Sequence, residues 1–200
     1  MTSPGCTPTA YGPPCRRTDF VASIKRKGDV IRVQFAPEER MVIGGFAREV
    51  SELLGGIAAA DPDPLAAMVG MGSDPASAPP DDPALHRLLP DAYDDPAGAA
   101  EFRRLTDDEL RRGKTSALTR LADDVEGATE GSLTIDDETA DAWVQALNDV
   151  RLVLGVRLKV DDDRGTWRRE LTPDDPRKPL VAAYDWLAVV QEMLLDAMRL

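Results

Sequence analysis

The apolar positions of this 200-residue chain fall into short blocks with a helical period, separated by stretches rich in proline, glycine and aspartate. Residues 1–27 hold four prolines and two glycines without sustained periodicity and read as a flexible arm. Val30-Ile31-Arg32-Val33-Gln34-Phe35 follows Gly28-Asp29 and is rich in β-branched residues, which predicts one short strand. Pro37 suits a first helical turn, with Glu38 and Glu39 well placed against the helix dipole. In that helix Val42, Phe46, Val50 and Leu53 share a face, Gly44 and Gly45 weaken the middle, and Gly55-Gly56 end it.

Residues 57–80 lose the period and read as a flexible loop. A short helix is expected from Pro83 to Tyr93, broken at Pro90, and Pro96 opens another that carries Phe102 and Leu105 inward. Thr106-Asp107-Asp108-Glu109 has the pattern of a capping box, which predicts a new helix burying Leu110, Ala117, Leu121 and Val125. Residues 131–135 suggest a brief extended segment. Asp136 then caps the most strongly patterned helix, where Ala140, Trp143, Leu147, Val150, Leu154 and Leu158 repeat at three-four spacing. Val144, Ala146 and Val153 widen that stripe, so this helix is expected at the centre of the core. Pro179 opens a terminal helix with one stripe of Leu180, Tyr184, Leu187, Val190 and Leu194 and a second of Trp186, Val189, Met193 and Ala197. Two stripes require burial on both sides, within the monomer or in a homodimer. The fold expected is mainly α: a compact helical bundle with one or two short N-terminal or loop strands. It divides into the arm, residues 1–27, and a helical domain over 28–200.

Composition changes this picture through charge. The chain carries 24 Lys/Arg against 36 Asp/Glu, a formal charge of −12. Residues 1–35 hold six Lys/Arg and two Asp/Glu, a balance of +4; the remaining 165 hold 18 and 34, a balance of −16. A basic tail on an acidic body can seek an anionic partner or fold back onto that body. The body itself repels a phosphate backbone and an anionic membrane. No run of about 18 apolar residues and no apolar leader is present, so a cytoplasmic protein with no membrane partner is expected.

Cys6 and Cys15 are the only cysteines, and both lie in the arm. Arg16 and Arg17 directly follow Cys15, and their charge favours the reactive thiolate. Peroxide would oxidise Cys15 to a sulfenate that Cys6 could resolve to a disulfide; two ordinary surface thiols is the equally open alternative. With one histidine, His86, the thiols cannot complete a tetrahedral metal site, and neither metal nor cofactor is expected. No nucleophile elbow, phosphate-binding glycine loop or HExxH motif occurs, and the Asp161-Asp162-Asp163 run lacks EF-hand spacing, so an enzyme is not expected. Candidate contacts to nucleic acid or a protein partner are Arg16, Arg17, Lys25, Arg26, Lys27, Arg168 and Arg169. Arg103, Arg104, Arg111, Arg112 and Lys114 form a denser cluster, but the i,i+4 pairs Asp107–Arg111 and Asp108–Arg112 favour an ordinary charged helix face.

The segments PALHRLLPDAY (83–93), EFRRLTDDELRRGK (101–114) and above all AWVQALNDVRLVLGVRL (142–158) resemble the actinobacterial AosR family of oxidative-stress transcriptional regulators. That family was formerly known only as a domain of unknown function. The resemblance implies a cytosolic, mostly helical regulator that senses oxidants through an intramolecular disulfide. It implies action on promoter DNA together with an extracytoplasmic-function sigma factor and RNA polymerase. The redox pair would fall on Cys6 and Cys15. A helical protein–protein adaptor without direct DNA binding is the alternative. For Asn148-Asp149-Val150-Arg151 the plain expectation is a polar clamp inside the helical core.

Overall fold

A computed structural model describes residues 22–55, 81–160, 166–169, 171–172 and 174–199. Cys6, Cys15, Arg16 and Arg17, with the rest of residues 1–21 and the whole 57–80 loop, lie outside them. The elements in chain order are β1 (Ser23–Lys27), β2 (Val30–Gln34), α1 (Pro37–Leu53), α2 (Pro83–Leu88), α3 (Pro96–Gly127), β3 (Ser132–Ile135), α4 (Asp137–Leu158), α5 (Thr166–Arg169) and α6 (Lys178–Arg199).

The fold is mainly helical, as the periodicity requires, and α4 is its axis. Ala140, Trp143, Leu147, Val150, Leu154 and Leu158 are all buried, and α3, α6, α2 and α1 pack around them. Asp136 caps α4: its carboxylate accepts from the Thr139 N–H at 2.8 Å and from the Thr139 hydroxyl at 2.6 Å. These bonds hold the Asp136 carboxyl below its ordinary range. Phe35, where the sheet meets α1, stacks on Trp143 and meets Trp186 edge-on, both at 6.4 Å between ring centres, which ties the sheet to α4 and α6. A smaller cluster of Leu158, Trp167 and Val181 lies at the far end.

The three strands form one antiparallel sheet in the order β1-β2-β3. Residues 23–27, read from sequence as the end of the arm, are its first strand. Gly28 and Asp29 form a two-residue hairpin loop, with φ of 60° at Gly28, and close the pair Lys27–Val30. A single strand prediction thus understated the region: the GD turn pairs Val30–Gln34 with the basic residues before it.

Two other expectations are corrected. Thr106 starts no helix. Residues 96–127 are one continuous helix capped by Asp95, whose carboxylate accepts from the Gly98 N–H at 2.8 Å. The Thr106 hydroxyl instead donates back to the Phe102 carbonyl at 2.9 Å, the mid-helix alternative to capping. Leu105 and Leu110 accordingly point outward, 64% and 44% exposed. On α1 the buried face is Ile43, Ala47 and Val50, continued by Leu54 just past its end; it is rotated from the expected one, and Val42 is exposed. Gly44 lies on that buried face, and a side chain there would run into the Glu126 side chain of α3, so the glycine gives α3 room to pack.

Candidate functional site at the sheet

Strand alternation and hairpin register divide the side chains of the sheet between two faces. Ile24, Ile31, Val33 and Ile135 are buried on the inner one. Lys25, Lys27 and Arg32 are exposed on the outer one, with Gln34, Ser132 and Thr134. Lys25 stands directly opposite Arg32. Like charges across a strand pair cost stability, so this placement is one that packing alone would not select. Arg32 was missed as a site residue. The signal was present in the spacing, because a two-residue turn at Gly28-Asp29 fixes the 25–32 pairing.

Arg26 points the other way along β1 and does not join this face. Its guanidinium pairs with Asp137 at the start of α4, which raises the arginine and lowers the carboxyl from their ordinary values. Arg168 pairs with Asp185 of α6 and lies over the Trp167 ring, 4.5 Å from its centre. Its hydrogen bond to Asp185 raises its pKa. Arg169 is exposed beside it. Both lie on α5 beside Trp167 rather than on the sheet. The candidate contacts therefore separate into exposed Lys25 and Lys27, ion-paired Arg26 and Arg168, and Arg169 on α5.

The basic cluster on α3 is an ordinary charged helix face only in part, since Arg103 and Lys114 reach inward to other segments. Arg104 pairs with Glu101, Arg111 with Asp107 at 3.0 Å, and Arg112 donates to the Asp108 carbonyl. Arg103 is buried against Asp91, which also lies 3.8 Å from His86. Between helices, Arg48 of α1 binds both Glu126 and Asp123 of α3. The Asn148–Arg151 segment is a polar clamp, as expected. Asp149 takes Lys114 of α3, and Arg151 donates to Gln191 of α6 at 2.7 Å while lying over the Tyr184 ring. Asn148 is exposed and takes no part in it.

The first described residues meet the body at a buried carboxylate. Glu39, 2% exposed, occupies the third position of α1. Its two oxygens accept the N–H of Ala22 at 3.2 Å and of Ala36 at 2.7 Å. The second bond is half of a capping box; the first fixes the chain just ahead of β1.

These features define a mainly helical protein with a cationic sheet face, whose remaining arginines are largely held in ion pairs. Among the described residues no group of His, Cys, Asp and Glu is arranged to hold a metal ion, and no helix is long and apolar enough to cross a membrane. The chain belongs to the family described as Domain of unknown function (DUF2017), whose model matches residues 19–198. Its relatives include proteins of Mycobacterium tuberculosis and Mycobacterium bovis named Oxidative stress regulator AosR. Each is 34% identical over 185 residues, covering 85% of this chain and 83% of the relative. A Mycobacterium leprae relative is 31% identical over 218 aligned positions, 96% of this chain and 98% of its own. No solved structure matches.

Proposed function

We propose that this protein is a redox-responsive transcriptional regulator of the oxidative stress response, switched by a disulfide between Cys6 and Cys15 and acting at promoters with an extracytoplasmic-function sigma factor. The observation that carries the reading is similarity, over most of the chain, to proteins named as oxidative stress regulators. The position of the only two cysteines, just ahead of a strand that ends in Lys25, Arg26 and Lys27, supports the switch.

The chemistry balances without a cofactor. The Cys15 thiolate attacks one oxygen of hydrogen peroxide, the O–O bond breaks, and hydroxide leaves as water after taking a proton. Cys6 then attacks the sulfenic sulfur, forming the S–S bond and releasing a second water. Two thiols are oxidised by two electrons and one peroxide is reduced. Ala22 and Glu39 supply a route from that segment to the body, since the bond between them anchors the start of β1. The outer face of Lys25, Lys27 and Arg32 is where an anionic partner would sit.

A second reading, an adaptor that binds protein without touching DNA, draws on the ion pairing of Arg26 and Arg168, which removes two candidate phosphate contacts. One titration tests both. The full chain, reduced or peroxide-treated, is titrated against the extracytoplasmic-function sigma factors of its source organism, alone and as holoenzyme on promoter DNA. The regulator reading predicts about tenfold or more between the two redox forms, erased in Cys6→Ser/Cys15→Ser. Equal affinity of both forms contradicts it. Sigma binding without any change in DNA contact selects the adaptor.

A further inference from the structure

The outer edge of the sheet offers a second interface, distinct from its cationic face. In the β2–β3 pairing the Phe35 N–H donates to the Gly131 carbonyl at 2.9 Å. In an antiparallel ladder the mutually bonded pairs recur at every second residue, so they are Val33–Leu133 and Ile31–Ile135. The hairpin agrees: closure at Lys27–Val30 turns the Arg32 backbone toward Lys25 and leaves Ile31 and Val33 to serve β3. The backbone N–H and C=O of Ser132 and Thr134 therefore face away from the sheet. Among the described residues no strand pairs with them.

They open into a groove of about 380 Å³ between β3 and the C-terminal end of α3, lined by Asp123, Asp124, Gly127 and Thr139 as well as by the strand. The Asp124 carboxylate is held in place by the indole N–H of buried Trp143 at 3.0 Å. Glu130 and Asp136 flank the strand, against the positive charges of Arg48 on Asp123 and Arg120 on Thr139. The groove is thus acidic overall. β3 carries no lysine, proline or charged residue in Ser132-Leu133-Thr134-Ile135, so its short length of four residues is the one edge-blunting feature it has.

We propose that this edge is a docking site for a basic, extended segment of a partner protein, which adds to the sheet as a fourth strand. Backbone hydrogen bonds to Ser132 and Thr134 would supply affinity and the acidic groove would select charge. A second copy of this chain fits less well, because a two-fold axis at β3 would bring Asp123, Asp124 and Glu130 of both copies together. The proposal is independent of the redox reading.

The test uses the full chain and a labelled eight-residue peptide alternating arginine with valine or threonine, beside a glutamate-for-arginine counterpart. The basic peptide should bind saturably and slow hydrogen exchange at Ser132 and Thr134, while Leu133 and Ile135, already bonded to β2, change little. Thr134→Pro removes an outward N–H without touching the β2–β3 ladder and should weaken binding about tenfold. Thr134→Lys, which keeps that N–H, should weaken the basic peptide through repulsion, a loss that added salt reduces. Equal binding of both peptides, indifference to either substitution, or Ser132 and Thr134 amides already protected in the unliganded chain would each overturn the proposal. Protection that grows with protein concentration alone would do the same, assigning the edge to a second copy.

Discussion

The Lys114 ammonium lies 2.7 Å from the Asp149 carboxylate across the α3–α4 interface, and the carboxylate side is almost wholly buried while the lysine keeps partial access to water. Such a pair is costly to break from one side, since the remaining charge has nowhere to go. Lys114→Met should therefore destabilise by about 3 kcal/mol, whereas the double change with Asp149→Leu should return to within about 1 kcal/mol of wild type. Urea denaturation of the single and double variants measures both. A harmless Lys114→Met would show that the pair carries little.

The same carboxylate gives stability a pH dependence. Burial is the larger influence and pushes the Asp149 carboxyl up; the hydrogen bond and charge of Lys114 pull it down without cancelling the shift. The folded state then keeps a proton that the unfolded chain has already released. This group's contribution is complete below the ordinary aspartate value, about 3.9, and is lost as pH rises through the raised one. Relative to Asp149→Asn, wild type should lose stability across that window. A constant difference between the two at all pH values would contradict the assignment.

At Glu39, loss of the buried carboxylate leaves the N–H groups of half-buried Ala22 and Ala36 without their acceptor. Glu39→Ala should cost about 2–3 kcal/mol, combining a lost cap with unsatisfied donors. Glu39→Gln keeps one good acceptor and should cost about 1 kcal/mol. Faster hydrogen exchange at Ala22 in the alanine variant would report the loosened junction directly.

The opposed Lys25 and Arg32 predict a trade between stability and binding. Arg32→Gln should leave stability unchanged or raise it by up to about 0.5 kcal/mol, because it removes a cross-strand repulsion. If the face contacts nucleic acid, the same change should weaken binding and reduce the salt dependence by about one unit of slope. A stable variant with unaltered binding would remove this face from the functional account.

Most of the helical frame was legible in the sequence because α4 announces itself. Its N-cap Asp136 and its three-four repeat from Ala140 to Leu158 are local signals, and local signals survive folding. The capping motif at Thr106 misled for the opposite reason. Whether a threonine caps or bonds back four residues depends on whether the preceding turn is helical, and no proline or glycine interrupts the segment from Ala99 to Arg112. On α1 the spacing of Val42, Phe46, Val50 and Leu53 misplaced the buried face, because the partner of this face, including Glu126 beside Gly44, lies more than 80 residues further on and leaves no trace in hydrophobic spacing. The candidate site was half visible. Lys25 and Lys27 stood out as charge, but their partnership with Arg32 required recognising the GD hairpin. Ion pairs between distant elements, such as Arg26 with Asp137, leave no trace in spacing.

The disulfide switch proposed for Cys6 and Cys15 is tested most directly by intact mass of the full chain after peroxide and thiol alkylation. The account predicts a species two hydrogens lighter that takes up no alkylating agent and regains two alkylation sites after reduction, with Cys6 and Cys15 in one cross-linked peptide. Peroxide-treated protein that still alkylates at both cysteines, or that links them only between two chains, would contradict it.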